Sequence, residues 1–144
     1  MIAADGLSSS AIARNLTPLA AHLRVLLLAR RLTLGPLVLV EQGRVAVGDE
    51  IGELLNAKLA VVLIGERPGL SAADSLGAYV TWQPRIGTMD SSRNCISNIR
   101  PAGLPIEDAA RQIDALVGRA FSYAMTGIGL NDLCSPATRV SITD

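Results

Sequence analysis

The stretch Leu59-Ala60-Val61-Val62-Leu63-Ile64-Gly65-Glu66-Arg67-Pro68-Gly69 decides the fold class. An unbroken apolar run from Leu59 to Ile64 stops at a glycine. An acid, a base and a Pro-Gly pair follow. A strand buried in a sheet and ending in a rigid polar loop reads this way. In open α/β sheets, ligands bind just outside the carboxyl ends of the strands. Glu66 and Arg67 therefore stand where a ligand would be met.

The same transition occurs twice more. Ile2 to Ala4 runs into Asp5-Gly6, and Leu37 to Val40 runs into Glu41-Gln42-Gly43-Arg44. Each apolar run precedes a helical pattern. Alternation of this kind predicts an α/β fold, Rossmann-like, with a mostly parallel sheet and helices on both faces.

The helical segments carry their own punctuation. Ser8 to Ser10 supply cap candidates for a first helix, and Pro18 is expected to kink it or to open a second. Leu16, Leu19, Ala20, Leu23, Leu26 and Leu27 form its apolar face. A second helical pattern spans Val45 to Asn56, with Val47, Ile51, Leu54 and Leu55 on one side. Asp49, Glu50 and Glu53 suit the positive end of its dipole, which makes them a solvated face rather than acid–base machinery. The last long helix begins near Pro105 and keeps its spacing to Ala124, with Gly127 as a stop.

Between Ser71 and Arg100 the pattern is less regular. Ser71 is expected to cap a short helix through Asp74 or Ser75. Ala78 to Gln83 reads as a strand, Cys95 to Ile99 as a short one, and Ile128 to Leu130 as a closing strand. Residues 1–132 read as one domain, and 133–144 as a tail without a usable period.

Composition narrows the function. The 144 residues suit one domain with a real core. Formal net charge is zero, so there is no electrostatic footprint for DNA, RNA or an anionic membrane. Lys58 is the only lysine among the basic residues. The bias to arginine suits carboxylate or phosphate binding, but GC-rich coding is the simpler reading. Cys95 and Cys134 match no metal-site spacing and suggest no disulfide framework, which fits a reducing cytosol. The apolar patch from Leu23 to Leu34 is broken by Arg24, Arg30 and Arg31, so it reads neither as a membrane span nor as a signal peptide.

No strong catalytic motif is present. A Gly-x-Gly-x-x-Gly after the first strand and a Walker lysine are both missing. His22 is the only histidine and sits among leucines on a helix, which argues against Ser-His-Asp and Cys-His mechanisms. With one histidine and two separated cysteines, a two-His or Cys-rich zinc site within the chain is excluded. What remains is a set of strand-end loops: Glu41 to Val45, Gly65 to Gly69 and Ser92 to Asn98. Their acids, amides, thiol and guanidinium groups suit hydrogen bonding to a large amide-bearing ligand. Ordinary loop chemistry explains them equally well, with Glu66 paired to an arginine and Cys95 as a small buried residue.

Longer strings carry a resemblance. VEQGRVAVGDEIGELL (Val40 to Leu55), LIGERPGLSAADSLGAYVTWQPRIG (Leu63 to Gly87), RNCISNIRPAGL (Arg93 to Leu104) and the opening ADGLS (Ala4 to Ser8) resemble the small, or light, subunit of ethanolamine ammonia-lyase. The likeness runs from about Ala4 to Asp132 and does not extend to LCSPATRVSITD at the end. It implies an adenosylcobalamin-dependent lyase converting ethanolamine to acetaldehyde and ammonia. The chemistry then sits in the large subunit, while this chain clamps the cobalamin from the other side as a Rossmann-like, cobalamin-facing domain. It also implies cofactor contacts at Val45, Glu66 and Cys95, none of them catalytic. Arg67 is then loop support, and the chain is inactive alone. The implied location is cytoplasmic, with a bacterial microcompartment as the family's further setting. The family's small subunit is longer at its N-terminus, so assembly and targeting are open expectations. Two competing functions are a truncated structural or interaction module and a stand-alone hydrolase or transferase. The lack of a usable histidine and of a nucleophile elbow opposes the last.

Overall fold

A computed structural model describes residues 1–135, and the remainder of the tail lies outside the described residues. The elements are β1 (Ile2–Ala4), α1 (Ser9–Ala29), β2 (Val38–Val40), α2 (Val47–Leu54), β3 (Leu59–Gly65), β4 (Leu76–Trp82), β5 (Arg93–Ile99), α3 (Ile106–Tyr123) and α4 (Ile128–Cys134). A 3-10 turn at Asp90–Ser92 leads into β5.

The five strands form one sheet in the order β2-β1-β3-β4-β5. β1 pairs in parallel with both β2 and β3, whereas β3/β4 and β4/β5 are antiparallel. The α/β class holds, but the sheet is mixed rather than mostly parallel. Connection length is the reason. A parallel return needs a crossover of about a dozen residues or more, usually a helix. Residues 66–75 and 83–92 are too short to supply one, so β4 and β5 fold back.

β3 is buried along nearly its whole length because both of its faces are covered. Val61 and Leu63 join Leu19, Leu23 and Leu27 of α1 and Ile113, Leu116 and Val117 of α3 in the larger core. Ala60, Val62 and Ile64 face the other way, with Ile2, Ala4 and the α2 side chains Val47 and Ile51. Each fully buried Leu, Ile or Val contributes about 1.5–3 kcal/mol. The split into two clusters follows from period-2 alternation along the strand.

α1 runs unbroken through Pro18, contrary to the expected kink or second start. The buried stripe Ala11, Asn15, Leu19, Leu23, Leu27 lies on one side and Pro18 is exposed on the other. The carbonyl that Pro18 leaves without an amide therefore faces water. Ser8 is the N-cap. Its Oγ accepts from the Ala11 amide at 3.2 Å and donates to the Ala73 carbonyl at 2.8 Å.

Two further expectations change. Ser71 to Ser75 form a tight turn closed by a Gly69–Ala72 bridge, not a helix. The carbonyls of Ser71, Ala73 and Asp74 are taken by Arg100, Ser8 and Asn15, which draws the segment onto the body of the fold. Ile128 to Leu130 belong to α4 rather than to a strand. α3 ends at Ala124, a left-handed cap at φ 52°, and Gly127 opens α4 at φ 87°.

Candidate functional site

The site is built on the turn before α2 and on neighbouring strands β4 and β5. The amides of Val47, Gly48 and Asp49 bond to the carbonyls of Arg44, Val45 and Ala46 at 3.0, 3.1 and 3.1 Å. That closes Arg44-Val45-Ala46 into a tight turn. α2 can lie low on the sheet because Gly48 and Gly52 face it. A methyl at Gly48 would run into Val62, and one at Gly52 into Pro84.

Arg44, Val45, Ala46, Tyr79, Asp90, Arg93 and Cys95 line an open hollow of about 460 Å³. Val45 and Cys95, far apart in sequence, thus share one concavity. Val45 is half-buried and Cys95 exposed, so Cys95 is not the small buried residue of the ordinary reading. Cys95 Sγ lies 3.3 Å from Ser97 Oγ.

Glu66 stands just beside this hollow rather than in its lining. A methyl built on Gly77 would touch Glu66 Cγ and Tyr79 Cε2, both at 3.4 Å, so the two side chains flank the same backbone atom. Glu66 Oε1 accepts from Ser75 Oγ at 2.8 Å and from the Asn98 amide at 2.7 Å. Oε2 makes no hydrogen bond among the described residues, so Glu66 keeps one acceptor oxygen for a ligand. Arg67 is exposed and makes no hydrogen bond among the described residues. Glu66 itself, not Arg67, supports the loop.

Tyr79 links the candidates, and sequence reading passes over it. It pairs with Cys95 across β4 and β5, and its ring lies between the hollow and Glu66. Its phenol is pushed up to about 12 by hydrogen bonding with Cys95 first, then by burial, and then by the negative charges of Cys95, Glu66 and Asp90. The phenol stays neutral and remains a donor. The available signal was period-2 alternation: Tyr79 falls on the Gly77 and Thr81 side of β4.

Asp49 departs furthest from expectation. It is buried, not part of a solvated face. Its carboxylate meets the Arg93 guanidinium in a fork, Nη1–Oδ1 at 2.5 Å and Nη2–Oδ2 at 2.7 Å, with both side chains only 4% exposed. Glu50 and Glu53 are exposed as expected, and Glu53 accepts from the Ile86 amide at 3.0 Å. The Arg93 pKa is raised further by its bond to Asp49.

Asp5 Oδ1, at the end of β1, is buried with no hydrogen-bond partner. His22 is about half exposed, with Nε2 4.0 Å from Glu107 Oε1, and reaches none of these residues. Among the described residues no group of three or more His, Cys, Asp or Glu could hold a metal, and no helix is long and apolar enough to cross a membrane. A second concavity of about 560 Å³, mainly apolar, opens at the start of β1 and β3, between Met1, Leu27, Leu34, Ile51, Leu59 and Phe121. It contains none of Val45, Glu66 or Cys95.

A model of the ethanolamine ammonia-lyase light chain (EutC) matches residues 1–131. This chain belongs to that family. It is 52% identical over 132 residues to an ethanolamine ammonia-lyase small subunit of Pseudomonas aeruginosa, a match spanning 92% of this chain and 48% of that protein. It is also 52% identical to the Azotobacter vinelandii small subunit, over 92% and 49% of the two lengths. The Xanthomonas campestris pv. campestris small subunit is 47% identical over 92% and 48%. The chain therefore spans about half the length of the curated relatives it matches. Within this light-chain family member, the matched region takes in the whole hollow, Glu66 and the Asp49–Arg93 pair.

Proposed function

We propose that this chain is the cofactor-facing portion of an ethanolamine ammonia-lyase small subunit, holding adenosylcobalamin against a large subunit. The observation that carries the reading is the shared hollow. Val45 and Cys95 line it together, and Glu66 lies beside it across Tyr79. The residues present suit a corrin periphery. Its side-chain amides need acceptors, and Glu66 Oε2 makes no hydrogen bond among the described residues. Val45 offers apolar contact and Cys95 a small polarizable one. Tyr79 offers a neutral hydroxyl donor to an amide carbonyl.

When bound, adenosylcobalamin supplies homolysis of its cobalt–carbon bond, which starts radical chemistry. This chain's residues bind, orient and keep water from one face. None is placed to move a proton in the reaction, so Val45, Glu66 and Cys95 are binding residues only. Activity then needs the large subunit. Leu70, fully exposed at the tip of the Glu66 loop, suits burial against that partner.

The test is co-expression with an ethanolamine ammonia-lyase large subunit, followed by gel filtration with adenosylcobalamin. Co-elution of both chains with the cobalamin spectrum supports the reading. A chain that elutes alone favours a structural or interaction module. Turnover by the isolated chain without cofactor would point to a stand-alone enzyme.

A further inference from the structure

The Arg93 guanidinium has every direction occupied. Beyond its fork with Asp49, Nη1 donates to Thr81 Oγ1 at 3.3 Å, Nη2 to the Thr88 carbonyl at 2.8 Å and Nε to Asp90 Oδ1 at 3.2 Å. The pair ties α2 to β5 at a particular register. Asp49 lies in the first turn of α2, and Val45 lies four residues earlier in the tight turn that leads into that helix. Arg93 lies two residues before Cys95, on the same face of β5, and lines the same hollow. One end of the pair therefore carries Val45 and the other carries Cys95.

Apolar packing alone would not fix that relation. α2 has eight residues and no side-chain N-cap bond. Val47 and Ile51 hold it down, but hydrophobic contact is non-directional. A bidentate fork is directional. Nor is stability an adequate reason for the pair. Desolvation of two charges offsets most of their attraction, and apolar replacements of both partners are often neutral or stabilising. We propose that Asp49 and Arg93 are a positioning pair that sets the gap between Val45 and Cys95, an inference that rests on reading the hollow as a cofactor face.

The test uses the full chain with two replacements, Arg93→Lys and the double change Asp49→Leu/Arg93→Met. The first readout needs no ligand. Exchange of the Gly48 and Asp49 amides should rise about tenfold in both variants while β3 amides keep their protection. The second readout is adenosylcobalamin retention by each variant in complex with the large subunit, expected to weaken about tenfold. Unchanged exchange, or wild-type retention despite faster exchange, overturns the proposal. Loss of β3 protection in both variants also overturns it, because the pair is then a global stabiliser. Faster exchange in the variants, with no retention even by the unsubstituted complex, leaves the positioning intact and defeats the cofactor reading instead.

Discussion

Glu66 Oε1 receives the Asn98 amide at 2.7 Å, and this one bond joins the end of β3 to β5 across the width of β4. Asn98 takes a positive φ of 59° there, which an asparagine tolerates better than most residues. The same oxygen receives Ser75 Oγ at 2.8 Å, and the Glu66 amide bonds the Ser75 carbonyl at 2.9 Å. Glu66 therefore closes the loop 66–75 from both its backbone and its side chain.

Removing that carboxylate leaves the Ser75 hydroxyl and the Asn98 amide without an acceptor. Glu66→Ala should cost about 1–3 kcal/mol and loosen residues 66–75. Glu66→Gln keeps an acceptor oxygen and should cost less than half as much. Urea denaturation with amide exchange over the loop checks both. An alanine variant as stable as the parent would show that the brace contributes nothing.

Tyr79 gives a pH signature. Its phenol sits at about 12 in the folded chain, against about 10 in an unfolded one. Between those values the unfolded chain has released the proton and the folded chain holds it. Stability from this group is therefore complete below about pH 10 and is lost as pH rises toward 12. In a Tyr123→Phe background, the Tyr79 phenolate absorbance should develop near 12, and Cys95→Ala should bring it down toward the ordinary range. A midpoint near 10 in the Tyr123→Phe chain would remove the proposed environment.

The two arginine–aspartate forks should behave differently. Arg30 and Asp114 meet at 2.5 and 2.9 Å between α1 and α3, but Arg30 is 39% exposed. Asp114→Ala should cost about 0–1 kcal/mol, and less in high salt. Asp49→Ala strands a buried guanidinium and should cost about 3–5 kcal/mol. Equal losses measured by denaturation would contradict the difference in burial.

Gly48→Ala weighs two opposed effects. Alanine gains about 1 kcal/mol of helix propensity, but its methyl meets the Val62 side chain. Val62 is β-branched on a buried strand and has little freedom to turn away, so overpacking at about 1–3 kcal/mol should win. A lower thermal midpoint is the expected result, and a raised one would mean that α2 lifts off the sheet without cost.

Sequence reached the first half of the fold because its information is local. The apolar runs at Ile2, Val38 and Leu59 mark the parallel strands, and Ile106 to Tyr123 keep helical period throughout. The short connections 66–75 and 83–92 already exclude a parallel return of β4 and β5, but the apolar runs alone do not show direction, and the turn at 71–75 is held by distant groups such as Asn15 and Arg100. Ile128 to Leu130 are too few to show a period, so helix and strand are indistinguishable there. Asp49 looks like a helix-dipole acid because its partner Arg93 is 44 residues away. Val45 and Cys95 rest on the family resemblance, and the fold brings them to one hollow. Tyr79 carries no motif and is found only by its cross-strand pairing.

As proposed above, this hollow and Glu66 form one face of a cobalamin site. The most direct measurement is equilibrium retention of adenosylcobalamin by the chain in complex with a large subunit, comparing the parent with Val45→Asp. The aspartate puts a carboxylate where the corrin would lie; because Val45 also packs against the smaller core and shares the hollow with Arg93, unchanged urea stability and co-elution of the variant are part of the measurement. An intact complex that retains at least about tenfold less cofactor, equivalent to about 1.4 kcal/mol, is expected. An intact Val45→Asp complex holding cobalamin as tightly as the parent would contradict it.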